Sequence, residues 1–235
     1  MKEIYLIRHG ETEWNHLGLS QGSRNDIKLN KVGIEQAKYT GKYLNEYRTI
    51  DKNFDCIISS PMLRTKKTAE IICKELDYDF KKVKYMDELI ERDQGLISIG
   101  KPNDELKGDN FYDDYFAKLD ILKNIKDPIL YNKQWNLFLD TDFNKKYEYE
   151  TDKHMLDRLL IIVNFLIETK FKKILIITHG GTILKLIKLI FNITEISGNY
   201  KFGSNCHITY IIYKKNNFYL EYGPSTLHLG IYNKK

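Results

Sequence analysis

The chain has 235 residues, of which 42% are hydrophobic, so it is long and apolar enough for one large α/β domain or two small ones. Its net charge is +5, but most lysines are interspersed with acidic residues, which disfavours a nucleic-acid-binding surface and leaves open a basic pocket for a small anion. Because no apolar run approaches about 18 residues, we expect neither a transmembrane helix nor a membrane partner.

The cysteines and the first residues bear on the cellular compartment. Cys56, Cys73 and Cys206 do not have the spacing of metal ligands, and we expect buried, reduced thiols. A charged residue follows Met1 and an apolar strand begins at once, which is not the pattern of a signal peptide. These features predict a cytoplasmic protein.

In the first part of the chain, short apolar runs alternate with segments of helical periodicity. The first run predicts a buried strand that leads directly towards His9 and Gly10. A later run is followed by Ser60 and Pro61, which we expect to be a helix N-cap and the first helical residue. The elements predicted here are a strand at 4–7, a helix at 30–47, a strand at 55–59, a helix at 62–76 and a strand at 83–86.

Residues 97–150 interrupt this alternation. They contain glycines and prolines, with aromatic-rich segments at 111–125 and 131–139. We interpret the stretch as an irregular insertion with short helices in a single domain that spans residues 1–235. Its aromatic residues either pack the insertion onto the domain or cover a pocket.

The alternation resumes in the last part of the chain, where a long amphipathic helix precedes a buried strand and two final strands form a hairpin. The elements predicted here are a helix at 152–169, a strand at 173–178, a helix at 181–191, a strand at 206–213, a turn at 214–217 and a strand at 218–222. Strands that alternate with helices predict an α/β three-layer sandwich. Its sheet is expected to be mainly parallel with one antiparallel strand and to carry helices on both faces.

Polar residues follow three of the predicted strands at the point where each strand ends. Arg8 and His9 follow the first strand, Ser60 follows the second, and His179 follows the later buried strand. In open α/β sheets ligands bind beyond the carboxyl ends of the strands, so we expect these side chains at one edge. Two neighbouring imidazoles disfavour each other's protonation unless an anion lies between them. With Arg8, and with Arg64 in the first turn of a helix, they predict a site for a phosphoryl group.

Several short motifs occur in one order along almost the whole chain. They are Arg8-His9-Gly10-Glu11-Thr12-Glu13-Trp14-Asn15, Gln21-Gly22, Ser59-Ser60-Pro61 with Arg64, Glu91-Arg92 with Gly95, Glu150-Thr151 with Arg158, and Thr178-His179-Gly180-Gly181. An Arg-His-Gly sequence alone would be weak evidence, but the ordered set resembles the histidine phosphatase superfamily, also called the phosphoglycerate-mutase-like family. The resemblance implies the α/β fold of that family. The last motif continues as His-Gly rather than His-Asp, which is similar to the branch whose catalytic acid is an upstream glutamate.

The resemblance also implies roles for the residues of the phosphoryl site. His9 would attack phosphorus and form a phosphohistidine, with His179 as a second catalytic residue. Glu91 would protonate the leaving oxygen and later deprotonate water, and Glu88 is the rival for this role. No metal and no other cofactor is implied. The residues expected to hold the phosphoryl group are Arg8, Asn15, Arg64 and His179, and those expected to bind the rest of the substrate are Gln21, Gly22, Arg92 and Gly180.

The family contains both phosphatases and mutases. Its mutases are similar to one another in carrying additional basic residues after the acid, including an adjacent arginine pair. Here residues 96–109 offer Lys101 and Lys107, and no arginine pair precedes Arg158. We therefore predict a phosphatase that hydrolyses phosphomonoesters. The alternatives are a cofactor-dependent phosphoglycerate mutase and an inactive module that binds a phospho-ligand or a protein.

The sequence says least about the substrate and the partners. A pocket with two arginines suits a phosphorylated small molecule, and a phosphoprotein stays open as a second class. We expect the insertion at 97–150 to set the selectivity. The sequence does not predict an oligomeric state.

Overall fold

The computed structural model describes residues 1–23, 26–46, 53–95, 130, 134, 148, 150–193 and 203–232. Contacts within the chain divide it into two compact units. The larger unit comprises Met1–Glu13, Asn25–Glu91 and Leu159–Lys235, and the smaller unit comprises Trp14–Arg24 and Arg92–Arg158. Almost all of the insertion predicted at 97–150, with its short helices at 111–125 and 131–139, lies outside the described residues. The single-domain assignment therefore stays a prediction.

Among the described residues, a six-stranded sheet forms the centre of the larger unit. Its strands are β1 (Lys2–Arg8), β2 (Cys56–Ser59), β3 (Lys84–Tyr85), β4 (Lys173–Thr178), β5 (Ile208–Lys214) and β6 (Asn217–Ser225), in the spatial order β3-β2-β4-β1-β5-β6. β1 to β4 run parallel, β5 runs antiparallel to β1, and β6 pairs antiparallel with β5. This confirms the predicted mainly parallel sheet with one antiparallel strand. Because Arg8 lies opposite Thr178, the two His-Gly motifs begin at the same edge of the sheet.

The described residues also form helices, as the α/β prediction requires. They are α1 (Glu13–His16), α2 (Lys31–Glu46), α3 (Leu63–Glu75), α4 (Asp152–Glu168), α5 (Gly180–Phe191) and α6 (Leu227–Tyr232), with 3₁₀ turns at Phe80–Lys82 and Asp87–Leu89. Of the helices in the described part of the chain, none is both long enough and apolar enough to cross a membrane.

The central strands bury side chains on both faces, which explains their continuously hydrophobic sequences. One face contributes Ile7, Ile57 and Ile177 to a core cluster that also contains Leu44 of α2 and Ile72 of α3. Side chains alternate along a strand, so the intervening residues point to the opposite face. Those residues are fully buried as well: Ile4, Leu6, Ile58, Ile174 and Ile176. Polar side chains with chemical roles are therefore expected where these strands end.

The predicted helix cap at Ser60 is wrong. Helix α3 begins at Leu63, and in the described structure the preceding Met62 is extended and makes no side-chain capping bond. The Thr65 hydroxyl, inside the first turn, lies 2.8 Å from both the Ser60 and the Met62 carbonyl oxygens. Because Pro61 separates Ser60 from the helix, the Ser60 hydroxyl lies instead 3.0 Å from His179 Nε2.

The final hairpin also differs from its predicted boundaries. Strand β5 begins at Ile208 rather than at 206, because Cys206 has a positive φ of 51° and donates its backbone N–H to the His9 carbonyl oxygen. The hairpin turns at Lys215 and Asn216, which both have a positive φ, as two-residue hairpin loops require. The chain before β5 is thereby tied to the loop that carries His9.

A buried ion pair lies at the start of α4 in the smaller unit. The Arg158 guanidinium donates two hydrogen bonds to the Glu150 carboxylate, from Nε at 2.6 Å and from Nη2 at 2.9 Å. The backbone N–H of Glu150 also donates to the Asp93 carbonyl oxygen at 2.8 Å. Burial alone would raise the pKa of Glu150, but the hydrogen bonds and charge of Arg158 lower it below its ordinary value. The pair therefore holds the segment before α4 to the segment that contains Asp93.

Replacing Glu150 with glutamine is expected to lower the free energy of unfolding by about 3 kcal/mol at neutral pH, because it removes the carboxylate from a buried guanidinium. The pKa of Glu150 is lower in the folded than in the unfolded state. The stabilisation is therefore present above the unfolded-state pKa and is lost as the pH falls through the folded-state pKa. Urea denaturation of both proteins from neutral pH to about pH 3 should show a difference that shrinks at the acid end.

The variant Asp157→Asn is the matched control, because Asp157 pairs with Lys153 in the same helix while both side chains are exposed. Its removal is expected to change the stability little. A loss in Glu150→Gln that does not vary with pH would contradict the account of the buried pair.

Candidate active site

The two histidines predicted to meet at one edge of the sheet lie side by side. His9 follows β1 and His179 follows β4, and their ring centroids are 5.2 Å apart with an interplanar angle of 62°. Both are buried, with exposed fractions of 2% and 0%. Two adjacent imidazoles shielded from water are suited to an anionic ligand or to nucleophilic chemistry, but not to holding two positive charges.

The hydrogen bond of the His9 ring determines its tautomer. Nδ1 lies 2.7 Å from the Gly10 carbonyl oxygen. Since a carbonyl oxygen only accepts, Nδ1 carries the hydrogen and Nε2 has the lone pair. The pKa of His9 lies well below its ordinary value, because burial and then the charges of Arg8 and Arg64 disfavour the imidazolium. His9 is therefore a neutral imidazole at physiological pH, with Nε2 able to attack an electrophile.

The main chain around His9 is held from several elements. The His9 N–H donates to the Thr178 carbonyl oxygen of β4 at 2.9 Å. The His9 carbonyl oxygen accepts from the Cys206 N–H at 3.2 Å and from Asn205 Nδ2 at 3.1 Å. The Gly10 N–H donates to the Thr68 hydroxyl of α3 at 3.0 Å. These bonds restrict the direction in which the imidazole points.

Arg64 is the fully buried cation of this edge, with an exposed fraction of 1%. Its Nε donates to His179 Nδ1 at 3.3 Å, so the proton of the neutral His179 ring is on Nε2, which lies 3.0 Å from the Ser60 hydroxyl. Burial lowers the pKa of Arg64 to about 10, with Glu91 opposing and Arg8 adding to the shift. Burial thus makes the charged form of Arg64 less stable in the folded chain than it would be in water.

Arg8 is the second guanidinium of the site. Its Nε is buried and has no hydrogen-bond partner among the described residues. Burial lowers the pKa of Arg8, and the charges of Glu91 and Glu11 oppose that shift. A ligand with two negative charges would offset the two guanidinium charges better than Glu91 does alone.

The Glu91 carboxylate lies against the first turn of α5, the helix that begins immediately after His179. Its Oε2 accepts from the Gly181 N–H at 3.2 Å, and its Oε1 lies 3.2 Å from the Thr182 hydroxyl oxygen. The rival Glu88 lies in the preceding 3₁₀ turn Asp87–Leu89. The structure therefore brings together Arg8, His9, Arg64, Glu91 and His179, while the assignment of Glu91 rather than Glu88 as the acid stays a prediction.

The other predicted site residues fall in two places. Gly180 is the first residue of α5 in the larger unit. The smaller unit holds Asn15 in α1, Gln21 with an exposed fraction of 8%, Gly22 with a φ of 47°, and Arg92. The Arg92 guanidinium is ion-paired with Asp152 and its Nε donates to Met155 Sδ at 3.3 Å. The predicted substrate contacts of these residues, and the phosphate contact of Asn15, stay predictions.

Several contacts that organise the site were not predicted from the sequence, although Ser60 was expected at this edge of the sheet. Thr68, Asn205 and Ser60 support Gly10, His9 and His179, each from another part of the chain. Thr182 contacts Glu91 across 91 sequence positions. The sequence could have indicated Thr182 as a site residue, because Thr182 directly follows the Thr178-His179-Gly180-Gly181 motif.

Known proteins resemble this chain along most of its length. The family model of the histidine phosphatase superfamily (branch 1) matches residues 4–121. An uncharacterized phosphatase, PhoE, from Bacillus subtilis is 30% identical over 198 residues, which cover 84% of this chain and 79% of that protein. A 2,3-bisphosphoglycerate-dependent phosphoglycerate mutase from Borreliella afzelii is 27% identical over 213 residues, which cover 83% and 80%.

Solved structures of related phosphatases also resemble this chain. A mutant phosphoserine phosphatase from Entamoeba histolytica, in complex with phosphoserine, is 25% identical and superposes with a TM-score of 0.68, covering 97% of this chain and all of the other. The predicted phosphoglycerate-mutase-like fold and the predicted phosphatase acting on phosphate monoesters are confirmed at the level of the family. The chain belongs to branch 1 of the histidine phosphatase superfamily.

Proposed function

We propose that this chain hydrolyses phosphomonoesters through a phosphohistidine on Nε2 of His9. The observation that carries the proposal is the hydrogen bond from His9 Nδ1 to the Gly10 carbonyl oxygen at 2.7 Å. It leaves the Nε2 lone pair for attack, in a ring that stays neutral beside Arg64 and His179. A neutral nucleophile next to fixed cations is the combination that attack on a phosphate dianion needs.

In the first step His9 Nε2 attacks phosphorus and the bond from phosphorus to the ester oxygen breaks. Glu91 delivers a proton to the departing oxygen, so that an alcohol rather than an alkoxide leaves. Arg8, Arg64 and His179 stabilise the charge on the remaining phosphoryl oxygens. Because these groups are preorganised by burial and hydrogen bonds, little rearrangement is needed during the transfer.

In the second step Glu91, now a carboxylate, takes a proton from water while the water oxygen attacks phosphorus. The bond from phosphorus to Nε2 breaks, orthophosphate is released, and the neutral His9 ring is regenerated. Glu91 ends the cycle protonated, as it began. The proposed roles of Asn15 in phosphate binding and of Gln21, Gly22, Arg92 and Gly180 in substrate binding rest on the family resemblance.

We further propose a phosphorylated small molecule as the substrate and the cytoplasm as the location. Phosphoserine is the first ester to test, because the related Entamoeba histolytica phosphatase was solved in complex with it. A phosphoprotein is the second class. The cytoplasmic proposal is supported by Cys56, Cys73 and Cys206, which are all buried, free thiols.

Phosphate release from a panel of esters tests the proposed function. The panel contains phosphoserine, 3-phosphoglycerate, a sugar phosphate, a nucleotide, a phosphopeptide and 4-nitrophenyl phosphate, each with and without a metal chelator. We expect release from at least one natural ester, unchanged by the chelator.

A phosphoglycerate mutase is the alternative function, because a mutase is among the relatives that cover most of the chain. It makes a different prediction for one member of the panel. With 2,3-bisphosphoglycerate present, conversion of 3-phosphoglycerate to 2-phosphoglycerate faster than release of phosphate would reject the phosphatase and establish the mutase.

A further inference from the structure

One hydroxyl group faces two oxygen atoms at the start of α5. The Thr182 hydroxyl oxygen lies 2.9 Å from the Ile90 carbonyl oxygen and 3.2 Å from Glu91 Oε1. A hydroxyl has a single hydrogen to donate and can also accept. When the Thr182 hydroxyl donates its hydrogen to the Ile90 carbonyl oxygen, its contact with Glu91 is a hydrogen bond only if the Glu91 carboxyl group is protonated. When Glu91 is ionised, the hydroxyl can turn and donate to it.

The second oxygen of the Glu91 carboxyl group is held by the backbone of Gly181. The Gly181 N–H donates to Glu91 Oε2 at 3.2 Å, which orients the carboxyl plane at the start of the helix. A Cβ atom at this position would lie 2.7 Å from Oε1, closer than two such atoms normally approach. A glycine therefore leaves the room in which the carboxyl group reaches the Thr182 hydroxyl.

We infer that Thr182 is a positioning residue whose hydroxyl serves both protonation states of Glu91; this inference rests on the proposed function. Before phosphoryl transfer, the acidic O–H of Oε1 donates to the Thr182 oxygen while the Thr182 hydroxyl donates to the Ile90 carbonyl, and the acidic O–H then turns to the leaving oxygen to deliver its proton. After the proton has moved to the leaving oxygen, the hydroxyl turns about its C–O bond and donates to Oε1. The carboxylate then accepts a proton from water without a change in its position.

This arrangement addresses a requirement of the two-step reaction. A residue that acts first as an acid and then as a base needs a partner that can accept in one state and donate in the other. A backbone N–H such as that of Gly181 can only donate, whereas a hydroxyl does both. The heavy atoms stay in place, so the reacting geometry is preserved between the steps.

The test compares two esters of nearly the same shape. The leaving group of 4-nitrophenyl phosphate departs readily without protonation, whereas that of 4-nitrobenzyl phosphate is an alkoxide that needs the acid. For Thr182→Val, which removes the hydroxyl at constant volume, we expect kcat/KM on the benzyl ester to fall roughly tenfold or more, and on the aryl ester less than about threefold. KM should stay within about twofold for both esters.

Thr182→Ser keeps the hydroxyl and is expected to retain both activities within about threefold. Gly181→Ala tests the acid itself, because the added methyl group displaces the Glu91 carboxyl group while alanine is the better helix former. It should therefore lose activity selectively on the benzyl ester if Glu91 is the acid, whatever the role of Thr182, and it separates a failure of the acid assignment from a failure of the Thr182 inference.

Thr178→Val is the matched control. The Thr178 hydroxyl donates to the Leu89 carbonyl oxygen at 2.6 Å and thus anchors the same segment as Thr182 does. Since it reaches the backbone and not the Glu91 carboxyl group, this variant is expected to lower the unfolding temperature and leave the ratio between the two esters unchanged.

The remaining outcomes overturn the inference in distinguishable ways. Equal losses on both esters in Thr182→Val, no loss on either, failure of Thr182→Ser to retain activity, or a selective loss in Thr178→Val would reject the role of the hydroxyl. If His9→Ala still turns over both esters, the proposed function fails and the inference fails with it. If His9→Ala is inactive and Thr182→Val is not selective, the inference alone fails.

Discussion

Replacing His9 with alanine is expected to lower kcat for phosphate release on the order of 10⁴-fold or more, because the proposed covalent route through Nε2 is lost. His179 cannot take over, since its Nδ1 accepts from Arg64 and its Nε2 lies against the Ser60 hydroxyl. Release of 4-nitrophenol from 4-nitrophenyl phosphate measures the loss. The fold should persist, because the substitution removes a neutral ring and leaves the backbone bonds of residue 9 available.

His228→Ala is the control for this variant. His228 is buried to nearly the same extent as His9 and its Nε2 lies 2.9 Å from the Thr40 hydroxyl oxygen in α2. Both substitutions leave a cavity of similar size, so both should lower the unfolding temperature. Activity should be lost in His9→Ala alone. Undiminished release by His9→Ala would reject the nucleophile, and a wild-type chain that binds esters without releasing phosphate would support the inactive module.

Replacing Arg64 with methionine is expected to have opposite effects on activity and on stability. The guanidinium is buried beside His179, so its loss should lower kcat/KM roughly 10³-fold by removing charge stabilisation from the transferring phosphoryl group. Burial lowers the pKa of Arg64 to about 10, from an ordinary value of 12.5. A shift of that size corresponds to about 3 kcal/mol, and below both values the whole cost is present. Methionine, which is apolar and of similar length, should therefore raise the free energy of unfolding by about 1–3 kcal/mol.

Chemical denaturation with and without inorganic phosphate separates the two effects. Phosphate should raise the unfolding midpoint of the wild-type chain, because it binds the folded state, and should do little for Arg64→Met. Arg158→Met is the contrasting control, since Arg158 has a bidentate carboxylate partner in Glu150 and its removal should destabilise. A less stable Arg64→Met variant with normal phosphate binding would contradict the account of the site.

The sequence predicted the strands of the sheet better than the contacts between them. Strand β4 was predicted with its observed boundaries, because a fully buried strand must be a continuous apolar run that stops where polar groups can reach the site. The two His-Gly motifs follow such strands, and they correctly predicted that His9 and His179 lie side by side at one edge of the sheet. The resemblance to a family then distinguished the roles of His9 and His179, which the residue pattern alone leaves equivalent.

What the sequence did not predict depends on residues that are far apart along the chain. The cap at Ser60 was expected from local rules, but its hydroxyl contacts His179, which is 119 positions away. The contacts of Asn205 with His9 and of Thr182 with Glu91 span 196 and 91 positions. Local propensity contains no information about such pairs, because they form only once the strands are ordered side by side.

The proposed covalent intermediate provides the most direct test of the proposed mechanism. The wild-type chain is mixed with excess 4-nitrophenyl phosphate, quenched within a fraction of a turnover in alkaline denaturant, which preserves phosphohistidine, and mapped by peptide mass spectrometry. We predict one phosphoryl group on the peptide that contains His9, located on that residue and absent from His9→Ala. A phosphoryl group on another residue, or an unmodified chain during steady turnover, would contradict the account.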